Sequence, residues 1–249
     1  MSEGQRIAIL PDLQYPFIDW IQWRRFLCWL YDYNPTKIIL IGDALDFPAV
    51  TTKYTVPPAE VGGTLGDIAG FKFQVLQDIR AHSDSRIYWT LGNHELRFQR
   101  YLRENAAEIA SFSGLTYSKL FESGKYKLSI TDDYFNIAPN TIATHSEIVR
   151  KKSGYTAWGN MERWGCSVVH GHSHRAALVF HTDHGRDIFG MEVGHMIDVE
   201  HMKKDLGWFK GTPDWQQAFG IIESKGQHVQ PTLIKMAKDG FYVGGRRYK

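Results

Sequence analysis

Lys37-Ile38-Ile39-Leu40-Ile41-Gly42-Asp43-Ala44-Leu45-Asp46 runs from a short apolar, strand-like stretch straight into a glycine and two carboxylates. An Asp after one strand is most often a turn residue or a cap. Outward from this stretch, however, the same join recurs at Pro11-Asp12-Leu13-Gln14, Gly92-Asn93-His94-Glu95, Thr144-His145 and Gly171-His172-Ser173-His174. Each follows an apolar run, and the carboxyl ends of strands are where open α/β sheets place their ligands. Five such joins in series point to one metal site with contributions from five strands.

The side chains themselves suit that purpose. Asp carboxylates, an Asn carbonyl and His nitrogens form a mixed oxygen and nitrogen set fitted to Mn, Zn or Fe, whereas a pure oxygen set would point to Mg or Ca. The His172-x-His174 pair has its own logic, because residues two apart in an extended segment point the same way and two imidazoles could then reach neighbouring ions. Asn93 has a plainer alternative as the cap of the helix that follows, and Asp46 as a helix cap or as an acceptor behind a His.

In this order the segments resemble the calcineurin-like metallophosphoesterase family, whose pattern runs Asp-x-His, Gly-Asp-x-x-Asp/Asn, Gly-Asn-His-Asp/Glu, a lone His and Gly-His-x-His. The resemblance runs from Asp12 to His174, roughly two thirds of the chain, with one departure: Gln14 stands where the family has the His of its first motif. The resemblance implies an α/β fold, a four-layer α/β/β/α sandwich of two mixed β-sheets. It assigns Asp12, Gln14, Asp43 and His174 to one metal and Asp43, Asn93, His145 and His172 to the other, with Asp43 bridging. Two divalent ions are implied, Mn²⁺ first, with Mg²⁺, Zn²⁺, Fe or Ni²⁺ as alternatives; such a pair activates a hydroxide and grips the phosphoryl oxygens together. It also gives His94 a catalytic place beside the leaving oxygen without ligation, with Asp46 as the acid expected to orient it; Glu95 reads as a first-turn helix acid. Gln14 can offer a carbonyl oxygen in place of an imidazole nitrogen, which makes the first position harder and weaker, or it can turn away and leave the position to water.

Composition sets the frame. The chain of 249 residues is 43% apolar and 22% charged, enough for a full-sized core in a single domain spanning 1–249. The two cysteines, Cys28 and Cys166, have no zinc spacing and no disulfide framework, and both are expected as buried thiols. No apolar run reaches the length of a membrane span, and no signal segment precedes residue 7, so a cytoplasmic protein without membrane partners is expected. A net charge of +2 implies no nucleic-acid partner by itself.

The periodicities predict strands over 7–10, 37–41 and 86–91, with helices over 20–31, 67–81 and 96–109 between and after them. Residues 46–66 read as a substrate-facing loop. Short β segments follow at 126–130, 134–137, 141–144, 166–170, 176–182 and 187–193, around one amphipathic helix over 155–164 that Trp158 and Trp164 are expected to pack onto the sheet. Strands return at 218–223, 229–236 and 241–244. His195, His201 and residues 208–215 read as edge-strand and loop, and Arg246, Arg247 and Lys249 as a disordered basic terminus.

Cations near the motifs, Arg97, Arg150, Lys151 and Arg175, are the candidate phosphate-binding rim. Arg97, Arg100 and Arg103 form a stripe that could track a nucleic-acid backbone, and Tyr54, Trp158 and Trp164 could stack on a base. The function expected is a metal-dependent phosphodiesterase acting on a nucleotide, cyclic nucleotide or nucleic acid, similar to small bacterial and phage members of the family. A phosphomonoesterase or protein phosphatase with the same centre is the alternative, and a degenerate binding scaffold is the reading from another class. Oligomeric state has no signature in the sequence.

Overall fold

The computed structural model describes residues 4–51, 63–183, 185–206 and 213–249. Along these, the chain runs β1 (Gln5–Leu10), α1 (Trp20–Tyr33), β2 (Lys37–Leu40), α2 (Gly63–Phe71), α3 (Gln77–His82), β3 (Arg86–Thr90), α4 (Asn93–Asn105), α5 (Ala107–Ala110), α6 (Tyr117–Leu120), β4 (Leu128–Thr131), β5 (Tyr134–Ala138) and β6 (Thr141–Thr144). It continues with α7 (Tyr155–Trp164), β7 (Ser167–His170), β8 (Ala176–Asp183), β9 (Arg186–Val193), α8 (Val199–Leu206), β10 (Ala218–Lys225), β11 (His228–Lys235), β12 (Phe241–Val243) and β13 (Arg246–Tyr248). Tyr54, and most of the loop expected over 46–66, lie outside the described residues.

Two mixed sheets carry the fold. The first has the order β11-β10-β1-β2-β3-β4, with β1, β2, β3 and β4 parallel, β10 antiparallel to β1 and β11 antiparallel to β10. The second has the order β5-β6-β7-β9-β8, with a parallel centre flanked by antiparallel edges. Both faces of the first sheet are buried, which is why its strands read as unbroken apolar runs. Ile7, Ile9, Ile39 and Ile41 face the second sheet and meet Val169, Met191 and Val193 there, while Ala8, Leu10, Ile38 and Leu40 face the helices. Full burial of each such aliphatic side chain contributes about 1.5–3 kcal/mol.

Helices complete the sandwich. Asp19 caps α1 by accepting from the N–H groups of Ile21 and Gln22, each at 3.1 Å, and left-handed Asn34 ends it by returning its N–H to Leu30. α1 lays Trp23, Phe26, Trp29 and Leu30 on the first sheet. On the far side α7 covers the second sheet. It does so with small residues rather than with its tryptophans: Thr156, Ala157, Gly159 and Asn160 are buried, and the helix backbone approaches so closely that a Cβ at Gly190 would meet Ala157. Trp158 points outward at 40% exposure, donating to Glu162, and Trp164 flanks the sheet edge against Tyr134.

Four further expectations are corrected. The helix over 96–109, which starts from Asn93-His94-Glu95 as expected, breaks at Ala106 into α4 and α5. The stretch after His195 contains α8, whose Met202 and Leu206 pack on Phe17 and Ile197, with the Asp198 carboxylate accepting from the His201 N–H. The basic terminus is a strand, β13, because Tyr248 is buried against Phe241 and donates to Asp32. Cys28 lies exposed on the outward face of α1 and Cys166 is half-buried. Among the described residues no helix is long and apolar enough to cross a membrane.

Candidate metal centre

Strands β1, β2 and β3 of the first sheet and β6 and β7 of the second all end at one edge, and the residues after each end converge. Asp43, His145 and His172 form one group of donors, and Asp12, Asp43 and His174 a second, each with its donor atoms within 4.8 Å of one another. Asp43 belongs to both. Asn93 joins the first group, its Oδ1 3.2 Å from His145 Nε2, and Gln14 the second, its amide nitrogen 3.3 Å from His174 Nε2. All seven sequence-predicted ligands therefore stand in one cluster, and the Gln14 amide points into it.

The backbone around these residues is held in conformations that need a reason. Gln14, Asp43, His172 and His174 have φ of 45°, 44°, 71° and 56°, a left-handed region that side chains other than glycine seldom occupy and that collects at functional sites. His172 and His174 are thus not two residues of an extended segment, as their spacing suggested; a turn aims one imidazole at each group. Carboxylates also press against backbone where only glycine leaves room: a Cβ at Gly92 would collide with Asp43, and one at Gly171 with Asp12. Asp12 in turn accepts the His172 N–H at 2.9 Å.

Glu95 explains how the Asp43 loop is fixed. Its fully buried carboxylate accepts the N–H groups of Gly92 at 2.7 Å, Asp43 at 2.9 Å and Leu45 at 2.9 Å. The reach back to Gly92 is half of a capping box at the start of α4, so Glu95 is at once helix cap and loop clamp. Burial, with the Asp43 charge beside it, pushes its carboxyl up to about 7.

The donor set fits a divalent cation on its own chemistry. His145 donates Nδ1–H to the Ile41 carbonyl at 3.0 Å, which turns Nε2 toward the other donors. Nε2 faces Asp43 Oδ2 at 3.2 Å, Asn93 Oδ1 at 3.2 Å and His172 Nδ1 at 3.1 Å, a crowd of electron-rich atoms around one point. Only a positive charge satisfies such a knot. Burial opposes an imidazolium at His145, yet Asp43, Asp12 and Glu95 outweigh it and push the ring up to about 10. Burial and the neighbouring His145 hold His172 down to about 4, a neutral imidazole suited to ligation.

His94 stands apart from the donor groups. Its Nδ1 lies 2.8 Å from Asp46 Oδ1, and its Nε2 points toward Asp43 at 3.8 Å. Burial works against its charged form, but Asp43 and Asp46 together raise it. Asp46 therefore sits where an orienting acid would, and its other carboxylate oxygen has no hydrogen-bond partner among the described residues.

Of the expected rim, Arg97 donates to the Asp46 carbonyl at 3.3 Å, beside His94. Arg175 is engaged elsewhere, paired with Asp214 at 3.2 Å and bonded to the Arg150 carbonyl at 2.6 Å, while Arg150 and Lys151 are exposed. Two neighbours escaped sequence reasoning. Asp67 of α2 is buried close enough to Asp46 that burial and that charge push it up to about 7. His195 follows β9 in the second sheet; its ring lies 5.8 Å from that of His174, and its Nδ1 accepts the Ile197 N–H. His195 carried the signal of the five motifs, an apolar strand ending in Gly-His, but in a segment outside their series.

Comparison with known proteins bears on the fold. The chain is 29% identical over 254 aligned positions to the Gene 54 protein of Mycobacterium phage D29, covering 97% of this chain and 98% of that one. The Gene 54 protein of Mycobacterium phage L5 is likewise 29% identical, covering 98% of each. Among solved structures, Vps29 of Chaetomium thermophilum superposes with a TM-score of 0.50 at 10% identity, covering 94% of this chain and 92% of that one. No family model matches. The shared fold, with its two large mixed sheets, is that of the metallo-dependent phosphatases.

Proposed function

We propose that this chain is a dinuclear-metal-dependent phosphodiesterase that hydrolyses a phosphodiester in a nucleotide or nucleic acid. The observation that carries the reading is the pair of donor groups sharing the Asp43 carboxylate at the joint edge of two sheets. Asp12, Gln14, Asp43 and His174 would hold one ion, and Asp43, Asn93, His145 and His172 the other. Two divalent ions so placed supply Lewis acidity to the phosphoryl group and a nucleophile at neutral pH, and Mn²⁺ suits the mixed donors.

The chain's own residues divide the remaining work. His94, whose charged form Asp43 and Asp46 favour against burial, is placed to protonate the departing oxygen, and its bond to Asp46 fixes the ring that does so. Arg97, beside that pair, adds positive charge where negative charge leaves. Glu95 holds Asp43 still by its three backbone bonds. A cavity of about 410 Å³ opens beside Asn93, His145 and His172, giving room for a second ester group and favouring a diester over a monoester.

The test is hydrolysis of bis-p-nitrophenyl phosphate and p-nitrophenyl phosphate by metal-stripped protein resupplied with Mn²⁺, Mg²⁺, Zn²⁺ or Ni²⁺. Metal-dependent cleavage of the diester, down about a thousandfold in Asp43→Ala given several kcal/mol of lost charge stabilisation, supports the reading. Preference for the monoester would move it to a phosphomonoesterase or protein phosphatase. No turnover with any metal, in folded protein, would put the binding scaffold first. Metal titration of Gln14→His beside the wild type reads the first position: tighter Zn²⁺ in the variant is expected if the Gln14 amide ligates, and equal affinity removes it from the coordination sphere.

A further inference from the structure

The cavity beside the metal centre has walls that the phosphate chemistry does not use. Leu91 and Leu96 give it an apolar side, and the half-buried indole of Trp164 stands on another, fixed edge-to-face by Tyr134 at 5.1 Å. Its floor is set in advance: Asn160 accepts the Ser146 hydroxyl at 3.0 Å and donates to the Thr156 carbonyl at 3.0 Å, so both ends of that amide are engaged. Asp132 and Asp133, in the connection from β4 to β5 that passes between the sheets, bring two exposed carboxylates to the lining.

We propose that this cavity is a nucleoside subsite, taking the base against Trp164 and the ribose hydroxyls against Asp132 and Asp133, so that the substrate is a single-nucleotide phosphodiester rather than a nucleic-acid strand. The proposal rests on the phosphodiesterase reading for the reacting phosphate at Asn93, His145 and His172. Volume supports it, since about 410 Å³ lies in the range of small-molecule sites, about 300–1,000 Å³. Chemistry supports it further: carboxylates only accept hydrogen bonds, and a vicinal diol offers two donors, of which a 2′-deoxyribose keeps one. The charge decides against a strand. The lining holds Arg100 and Arg163 together with Asp132, Asp133 and Glu147, Arg163 lying 3.7 Å from Glu147; two cations and three anions leave a net −1, where a groove tracking successive phosphates would be positive. The stripe of Arg97, Arg100 and Arg103 does not rescue a backbone track, because Arg97 turns to Asp46 and Arg103 to Gln99.

Two measurements test this on the full chain. The first is equilibrium dialysis of metal-free protein against uridine, adenosine and their 2′-deoxy counterparts. Saturable binding of the ribonucleosides, weakened about tenfold in Trp164→Ala and in Asp132→Asn/Asp133→Asn, and weaker for the deoxy forms, supports the subsite. Absent binding, or equal binding by wild type and the folded exposed-residue variant Asp132→Asn/Asp133→Asn, overturns it. The second is kcat/KM with metal for uridine 5′-(p-nitrophenyl phosphate) against methyl p-nitrophenyl phosphate; a preference of about tenfold or more for the nucleoside ester supports the proposal, and equal values overturn it. If neither ester is cleaved while ribonucleosides bind, the phosphodiesterase reading fails and the subsite stands.

Discussion

The two sheets bring different chemistry to their shared edge. From the first come the oxygens of Asp12, Asp43 and Asn93 and the amide of Gln14, with the carboxylates of Asp46, Asp67 and Glu95 crowded behind them. From the second come His145, His172 and His174, all nitrogen donors, with His195 behind. Neither sheet has a complete site, and the residues that set the distance between the halves are aliphatic: Ile7, Ile9, Ile39 and Ile41 against Val169, Met191 and Val193. The spacing of the donor cluster is therefore a property of how two sheets pack.

The strongest blow to that division should come from the oxygen side. Glu95→Gln keeps the shape but replaces an acceptor with an amide that cannot accept all three backbone N–H groups, so the loop bearing Asp43 loosens; a loss of about 10–100-fold in metal affinity is expected by calorimetry. Unchanged affinity would mean that Asp43 is placed without its clamp. A sharper cut uses neighbours on one strand. Ile39→Ala and Leu40→Ala each remove a fully buried side chain and should cost about 2–5 kcal/mol by urea melts. Only Ile39 lies between the sheets, so only Ile39→Ala should also weaken metal binding; equal metal affinity in both variants would break the claim that sheet packing sets the site.

The smallest effect concerns surplus charge on the first-sheet side. Asp67 has its carboxyl raised by burial and by Asp46 from the ordinary 3.8 to about 7. A raised acid favours folding in its neutral form, so this contribution is full below about pH 4 and is lost as pH rises through 7. Metal-free Asp67→Asn should melt a few degrees above wild type at pH 8 and level with it near pH 4. A variant that melts alike at both would show that the negative charges on this side do not strain each other.

What could be read from the sequence was the part where chemistry and strand ends coincide. Asp12, Asp43, Asn93, His145, His172 and His174 each follow an apolar run, so order along the chain carried the information that position in space later supplied. The cavity was not legible, because Leu96, Asp132, Ser146 and Trp164 come from four separate elements and share no spacing. α7 misled for a physical reason: large aromatics suggest a packing face, but a helix that rides this close to Gly190 must bury its small residues and turn Trp158 outward. α8 was within reach, since Asp198 ahead of Met202 and Leu206 is a cap before an apolar stripe, though over only eight residues.

The connections opposite the metal edge have a practical use. β10 runs antiparallel to β1, so its turn into β11, around Gly226, lies at the end of the sheet away from every ligand. A fluorophore or a surface tether inserted there would orient the protein with its donor cluster facing free solution, and immobilised molecules would all present the same opening to whatever is passed over them.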